Sequence, residues 1–173
     1  MENKSTFTPA LQFGLLTGLG MIVYSLIMYL LGVNYKSTWN LLNYLIILVG
    51  IFWGMVSIRD RYLDNVMPYG KAFGVGFWIV LFAVLLSSIY SFIFLKYIDP
   101  SVLENAMSEA QDKILAANPN ISDADLDKAM SMARKFATPA FSAITGFVWN
   151  VIVGTVLSLI IAIFAKREDK TIA

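Results

Sequence analysis

The sequence predicts an all-α polytopic membrane protein: four transmembrane helices, with an amphipathic helical hairpin inserted between helices three and four. Three observations lead there. Hydrophobic residues make up 58 % of the chain and charged residues 14 %, against about 45–50 % and about 25 % in soluble domains. The charges occur in clumps, separated by four long uncharged windows. One stretch, 96–138, breaks this pattern with a polar composition and helical periodicity. A soluble fold with this balance would expose large apolar patches, whereas a chain dissolved in lipid does not meet that problem. The length of 173 residues suits a single membrane domain.

The first window runs from Thr6 to Tyr35, with an apolar heart over 10–33. As a helix of about 24 residues it would be roughly 36 Å long, against about 30 Å of hydrocarbon. A cleaved secretory signal is the competing reading, but such signals have apolar cores of only about 7–15 residues. The opening Met1-Glu2-Asn3-Lys4 is weakly basic and no small-residue cleavage site follows the apolar run, so the segment is expected to stay as a span. The second span is expected over 41–58, near the minimum length and so with little tilt. The third covers 72–95. The fourth covers 140–165, bounded by Pro139 and by Lys166-Arg167. Tyr24, Tyr29, Tyr35 and Trp39 gather around the end of span one and the start of span two, and Tyr69 and Tyr97 flank span three. This placing suits an interfacial aromatic belt, although Tyr24, Tyr90 and Trp149 lie too deep to serve it.

Basic residues beside the spans set the expected orientation. Four crossings put both termini and the Arg59–Lys71 loop on one side. That side holds Lys4, Arg59, Arg61, Lys71, Lys166, Arg167 and Lys170, against Lys36, Lys96, Arg134 and Lys135 near span ends on the other. The excess points to both termini in the cytoplasm.

The insertion, 96–138, holds seven acidic residues (Asp99, Glu104, Glu109, Asp112, Asp123, Asp125, Asp127) and five basic ones. Asp99-Pro100 suits a helix start, with a capping carboxylate followed by proline at the first helical position. Val102, Leu103, Ala106, Met107, Ala110 and Ile114 then recur at helical spacing. Asn118-Pro119-Asn120 breaks that helix. Ser122, followed three residues later by Asp125, resembles a capping box with Asp in place of Glu or Gln. Leu126, Ala129 or Met130, Ala133 and Ala137 supply a second stripe. By topology this hairpin lies outside the cytoplasm. Two readings of its apolar faces stand. Val102, Leu103, Met107, Ile114, Leu126 and Met130 form a docking face for a protein partner, or the two stripes pack on each other or on the membrane surface. The carboxylates are scattered, without the spacing of a calcium-binding loop, so they read as a solvated face.

Ionisable residues buried in a bilayer are costly and usually functional, and the central parts of all four spans contain none. Neutral polar residues remain. Asn150 lies between Gly146 and Gly154 in span four, and Ser87, Ser88 and Ser91 lie in the second half of span three. They either line a polar path or act as interhelical glue, worth about 0.5–2 kcal/mol per hydrogen bond. Three small-xxx-small pairs, Gly14 with Gly18, Gly50 with Gly54 and Gly70 with Gly74, permit close helix approach in a bundle or a homodimer. Gly74 and Gly76 do not make a phosphate loop, because they lie inside a span and lack the Lys-Ser/Thr ending.

The chain has neither cysteine nor histidine. Ser–His–Asp and Cys–His constellations and thiolate metal ligation are therefore excluded, and no cofactor or metal is expected. A net charge of +1 supplies no basic field for nucleic acid.

The stretch Tyr69-Gly70-Lys71-Ala72-Phe73-Gly74-Val75-Gly76-Phe77, the serines that follow it, and Tyr97-Ile98-Asp99-Pro100 opening the insertion resemble a family of four-helix bacterial membrane proteins known as a domain of unknown function and frequent in Bacteroidota. The resemblance covers nearly the whole chain and implies an inner-membrane protein with four helices. It implies no activity and no site residues. The residues themselves suggest a non-enzymatic accessory subunit or scaffold of a membrane assembly. The alternative is a small transporter or channel for a neutral solute or lipid, with Asn150 and the span-three serines lining the route. A carboxylate enzyme near the interface, using Asp64, Asp99 or Glu104, ranks third.

Overall fold

The computed structural model describes residues 5–32 and 41–168, and among these every regular element is helical. The expectations placed on Lys4, Tyr35, Lys36, Trp39 and Lys170 lie outside the described residues. The elements are α1 (Phe7–Leu30), α2 (Leu41–Tyr62), α3 (Tyr69–Ile93, continued by a π-helical turn over Phe94–Ile98), α4 (Ser101–Ala117), α5 (Asp123–Phe136) and α6 (Pro139–Ala165). Four of these, α1, α2, α3 with its π turn, and α6, are long and apolar enough to cross a membrane. The protein is thus a four-span, all-α membrane protein with two polar helices between α3 and α6.

The helix ends differ from the hydropathy windows for local reasons. Helix α1 begins at Phe7 rather than at position 10, because Pro9 sits in its first turn, where the amide that proline lacks has no helical partner anyway. It stops at Leu30 because Gly32 takes a left-handed φ of +65°, the usual device for turning a chain out of a helix. Helix α2 runs past position 58 to Tyr62 and then turns through Asp64 and Asn65, both left-handed at φ 51° and 65°. Asp and Asn tolerate this region better than other residues with a side chain. Helix α3 widens into a π turn because Pro100 disfavours helical backbone at Asp99. The Asp99 amide instead bonds five residues back to the Phe94 carbonyl, at 2.9 Å. With that turn the third span is 30 residues long, or roughly 45 Å at the α-helical rise. That exceeds the roughly 30 Å of hydrocarbon, so the helix tilts or extends past it.

The chain divides into two compact units, one taking in residues up to 87 and from 148 onward, the other covering 88–147. The second unit is larger than the insertion seen in the sequence, since it includes the end of α3 and the start of α6.

In the first unit each helix turns one stripe inward: Ala10, Gly14, Thr17 and Met21 of α1; Ile47, Ile51, Met55 and Ile58 of α2; Val75, Ile79, Val80 and Ala83 of α3; Gly154, Ser158, Ile161 and Ala162 of α6. In lipid these stripes gain nothing from escaping water, because acyl chains are as apolar as leucine. What holds the helices is close contact, and close contact needs small residues. At Gly14 an added Cβ would stand 2.7 Å from Phe82 Cβ, and at Gly18 it would stand 2.9 Å from the Ala83 carbonyl oxygen. Helices α1 and α3 touch there nearly backbone to backbone. Phe7 adds edge-on contacts to Trp78 (5.2 Å) and Phe82 (5.5 Å), a geometry that favours aromatic pairs.

In the second unit α4 and α5 pack on each other. The residues that lose exposure belong to the two stripes read from the sequence: Val102, Leu103, Met107 and Ile114 are half-buried, as are Leu126, Ala129 and Ala133, and Met130 is buried. Asp99 accepts a hydrogen bond from the Ser101 amide at 3.1 Å, the capping contact expected at that start. At the second helix the Ser122 hydroxyl accepts from the Asp125 amide at 3.2 Å, but it also donates to the Asp125 carboxylate at 2.7 Å. Asp is one methylene shorter than Glu, so it stops at the serine side chain instead of reaching the serine amide.

Candidate functional site

The intramembrane polar residues are divided between the two units, Asn150 and Ser87 in the first and Ser88 and Ser91 in the second. Helices α3 and α6 run antiparallel in the first unit, with Gly154 against Val80 and Ser158 against Gly76. This register brings Asn150, which is half-buried, level with the buried Val84. At Gly154 a side chain would collide with Val80, whereas at Gly146, in the second unit, it would meet open space. The two glycines flanking Asn150 thus have opposite surroundings. Ser87 donates to the Met21 sulfur at 3.5 Å, a weak bond inside the first unit. Ser88 and Ser91 are half-buried in the second.

Two hydroxyls within the spans are spent on their own helices. Thr17 donates to the Phe13 carbonyl and Thr155 to the Val151 carbonyl, each at 2.7 Å. These one-turn bonds satisfy the hydroxyl without offering it to a solute. Ser158 differs from both. It is fully buried, and its Oγ has no hydrogen-bond partner. It fills the space left by Gly76, with Met55 packed beside it. A buried hydroxyl without a partner costs about 1–3 kcal/mol. Ser158→Ala should therefore leave stability unchanged or raise it by about 1 kcal/mol, measured by thermal unfolding in detergent. A clear loss would show that the hydroxyl is engaged.

Among the three small-residue pairs, Gly14 and Gly18 pack on α3, Gly50 packs on Thr17, and Gly54 packs on Ile79 and Phe13. Those partners are all in the same chain. Gly70 and Gly74 face no atom within 4 Å. Gly76, which belongs to none of the pairs, is the glycine of α3 that seats α6. A groove of about 310 Å³ lies between α1 and α2, lined chiefly by Leu16, Gly20, Leu45, Ile46, Val49 and Trp53. Its walls are hydrocarbon, fit for an acyl chain or another helix and unfit for a charged ligand.

The polar end of the first unit is more ordered than the sequence suggests. Arg59 Nη1 donates to the Ala165 carbonyl oxygen at 3.0 Å, and Nε donates to Asp60 Oδ1 at 2.7 Å. Met67 and Arg167 exchange two backbone hydrogen bonds, each 2.8 Å. Tyr69 Oη donates to the Leu159 carbonyl at 3.3 Å. The turn between α2 and α3 is thereby clamped to the end of α6, where a guanidinium also complements the carbonyl end of the helix. Sequence reading treats Arg59 and Arg167 only as topology markers, and nothing in their spacing names carbonyls 100 or more residues away as partners.

On the second unit, sequence reading misses Met132 and Phe136. They are 65 % and 56 % exposed, on the side of α5 turned away from α4. Their four-residue spacing, with Lys135 beside them, is the signal that could have shown them. No cluster of three or more His, Cys, Asp and Glu occurs among the described residues.

A family model described as "Protein of unknown function (DUF4199)" matches residues 12–167. No curated protein and no solved structure matches the chain.

Proposed function

The chain belongs to the DUF4199 family, whose description assigns no activity, and from that premise we propose that it is a non-enzymatic accessory subunit or scaffold of an assembly in the bacterial inner membrane. Both termini then lie in the cytoplasm and the hairpin lies outside it, as the distribution of Lys and Arg favours. The observation that supports the reading is the filled interior of the first unit. Ile47, Ile51, Met55, Ile79 and Val80 are all at most 1 % exposed, and Thr17 and Thr155 bond to their own helices. A transporter needs a route of polar groups or water at this depth. A scaffold needs a rigid apolar core.

The test is recovery from native membranes in a mild detergent, with mass spectrometry and a size measurement. A stoichiometric partner is expected, and reversing Glu104 and Asp112 to lysine should weaken its retention. Recovery alone, as a monomer or homodimer, together with solute flux in proteoliposomes that is lost in Asn150→Leu, would replace this reading with a transport one.

A further inference from the structure

We propose that the membrane-proximal end of the hairpin is a binding surface for anionic phospholipid, in which α5 lays an apolar ridge into the leaflet and basic side chains hold headgroup phosphates. The proposal does not rest on the accessory-subunit reading, and all of its residues lie within the second unit.

Chain connectivity fixes the depth. Phe136, the last residue of α5, precedes Pro139, the first of the fourth span, by three positions. At the hairpin's other base, Lys96 and Tyr97 end the third span. Both bases are therefore at the membrane surface.

Apolar continuity comes next. Ile144 and Phe141, in the first turns of α6, are 63 % and 44 % exposed, as residues facing acyl chains should be. The Phe141 ring meets that of Phe136, with centroids 5.1 Å apart. One turn further up α5 stands Met132. The lipid-facing surface of the span thus runs without a break onto a helix outside it. An exposed ridge of Phe and Met in water would be a liability, and in the interfacial region it is an anchor.

Charge then names the lipid. Asp123, Asp125 and Asp127 occupy the far end of α5, and no acidic residue occurs from Lys128 to Arg167. Arg134 and Lys135 are exposed and form no ion pair among the described residues. Lys128, further from the membrane, is paired with Asp125 at 3.7 Å. Helix polarity accounts for basic residues in a last turn, but not for a contiguous exposed Met132–Phe136–Phe141 ridge beside them. At the other base, Lys96 Nζ sits 5.1 Å from the centre of the exposed Tyr97 ring, and amphipathic aromatics of this kind favour the headgroup layer.

The absence of cysteine makes a clean test. Full-length Met132→Cys, labelled with an environment-sensitive fluorophore, is reconstituted in nanodiscs of phosphatidylcholine, or of phosphatidylcholine with a third replaced by phosphatidylglycerol. Accessibility to the neutral quencher acrylamide is read in both, with Ser108→Cys on exposed α4 as the aqueous reference. The Met132→Cys label is expected to be shielded relative to the reference, and more so with phosphatidylglycerol. In the Arg134→Glu/Lys135→Glu background the phosphatidylglycerol-dependent part should vanish. Preference for phosphatidylglycerol among co-purifying lipids should fall by about fivefold per lost basic residue. Arg134→Gln/Lys135→Gln serves the same purpose if charge reversal impairs folding. Two results would overturn the proposal: a label as accessible as the reference, or shielding that ignores lipid charge.

Discussion

Leucine in place of Gly154 is expected to destabilise the four-helix unit by about 3 kcal/mol or to prevent its assembly, whereas leucine in place of Gly146 should change stability by no more than about 0.5 kcal/mol. The contrast follows from their surroundings. At Gly154 the first side-chain atom already collides with Val80, itself fully enclosed. Neither helix can withdraw without parting Ser158 from Gly76 one turn further on. At Gly146 no atom lies within 4 Å, so the leucine side chain enters unoccupied space. Unfolding in SDS titrations, or thermal denaturation in a mild detergent, separates the two variants. Equal behaviour would mean that α3 and α6 do not meet in the described register.

Arg59→Ala should cost about 2 kcal/mol, the range of a hydrogen bond made by a charged group. The side chain is 16 % exposed, so water replaces it poorly at the Ala165 carbonyl. Arg59→Lys should recover only a small part, because an ammonium lacks the planar fork that reaches Asp60 and Ala165 together. The local readout is amide hydrogen exchange. The Arg167 amide, bonded to the Met67 carbonyl, should exchange faster in Arg59→Ala, while amides in the middle of α1 keep their protection. Unchanged exchange at Arg167 would separate the bridge from the guanidinium.

Four spans and a helical hairpin are legible in the sequence because each rests on a one-dimensional signal. An uncharged window reports a span wherever lipid is the solvent, and Asp99-Pro100 or Ser122 reports a helix start from a contact two or three residues away. Interhelical partners carry no such signal. Gly74 and Gly76 look equivalent in sequence, yet Gly76 receives Ser158 and Gly74 faces open space. The choice depends on the rotation of α3 against α6, which two-residue spacing does not encode. The exposed ridge of α5 was obscured for a related reason. Leu126, Met130 and Ala133 account for one apolar face, and with that face assigned, Met132 and Phe136 pass for scattered surface residues. Only their exposure and the ring contact to Phe141 set them apart.

The bridge between Met67 and Arg167 also bears on how the molecule is made. Helix α6 is synthesised after the other five, yet it supplies Ser158 to the face of α3 around Gly76 and the carbonyl that Arg59 grips. During translation, α1, α2 and α3 enter the bilayer with that face bare and that arginine unengaged. The unit closes only after α6 has been made. Contacts this distant along a chain form late. A nascent three-helix intermediate with an open seam is therefore built into the order of synthesis.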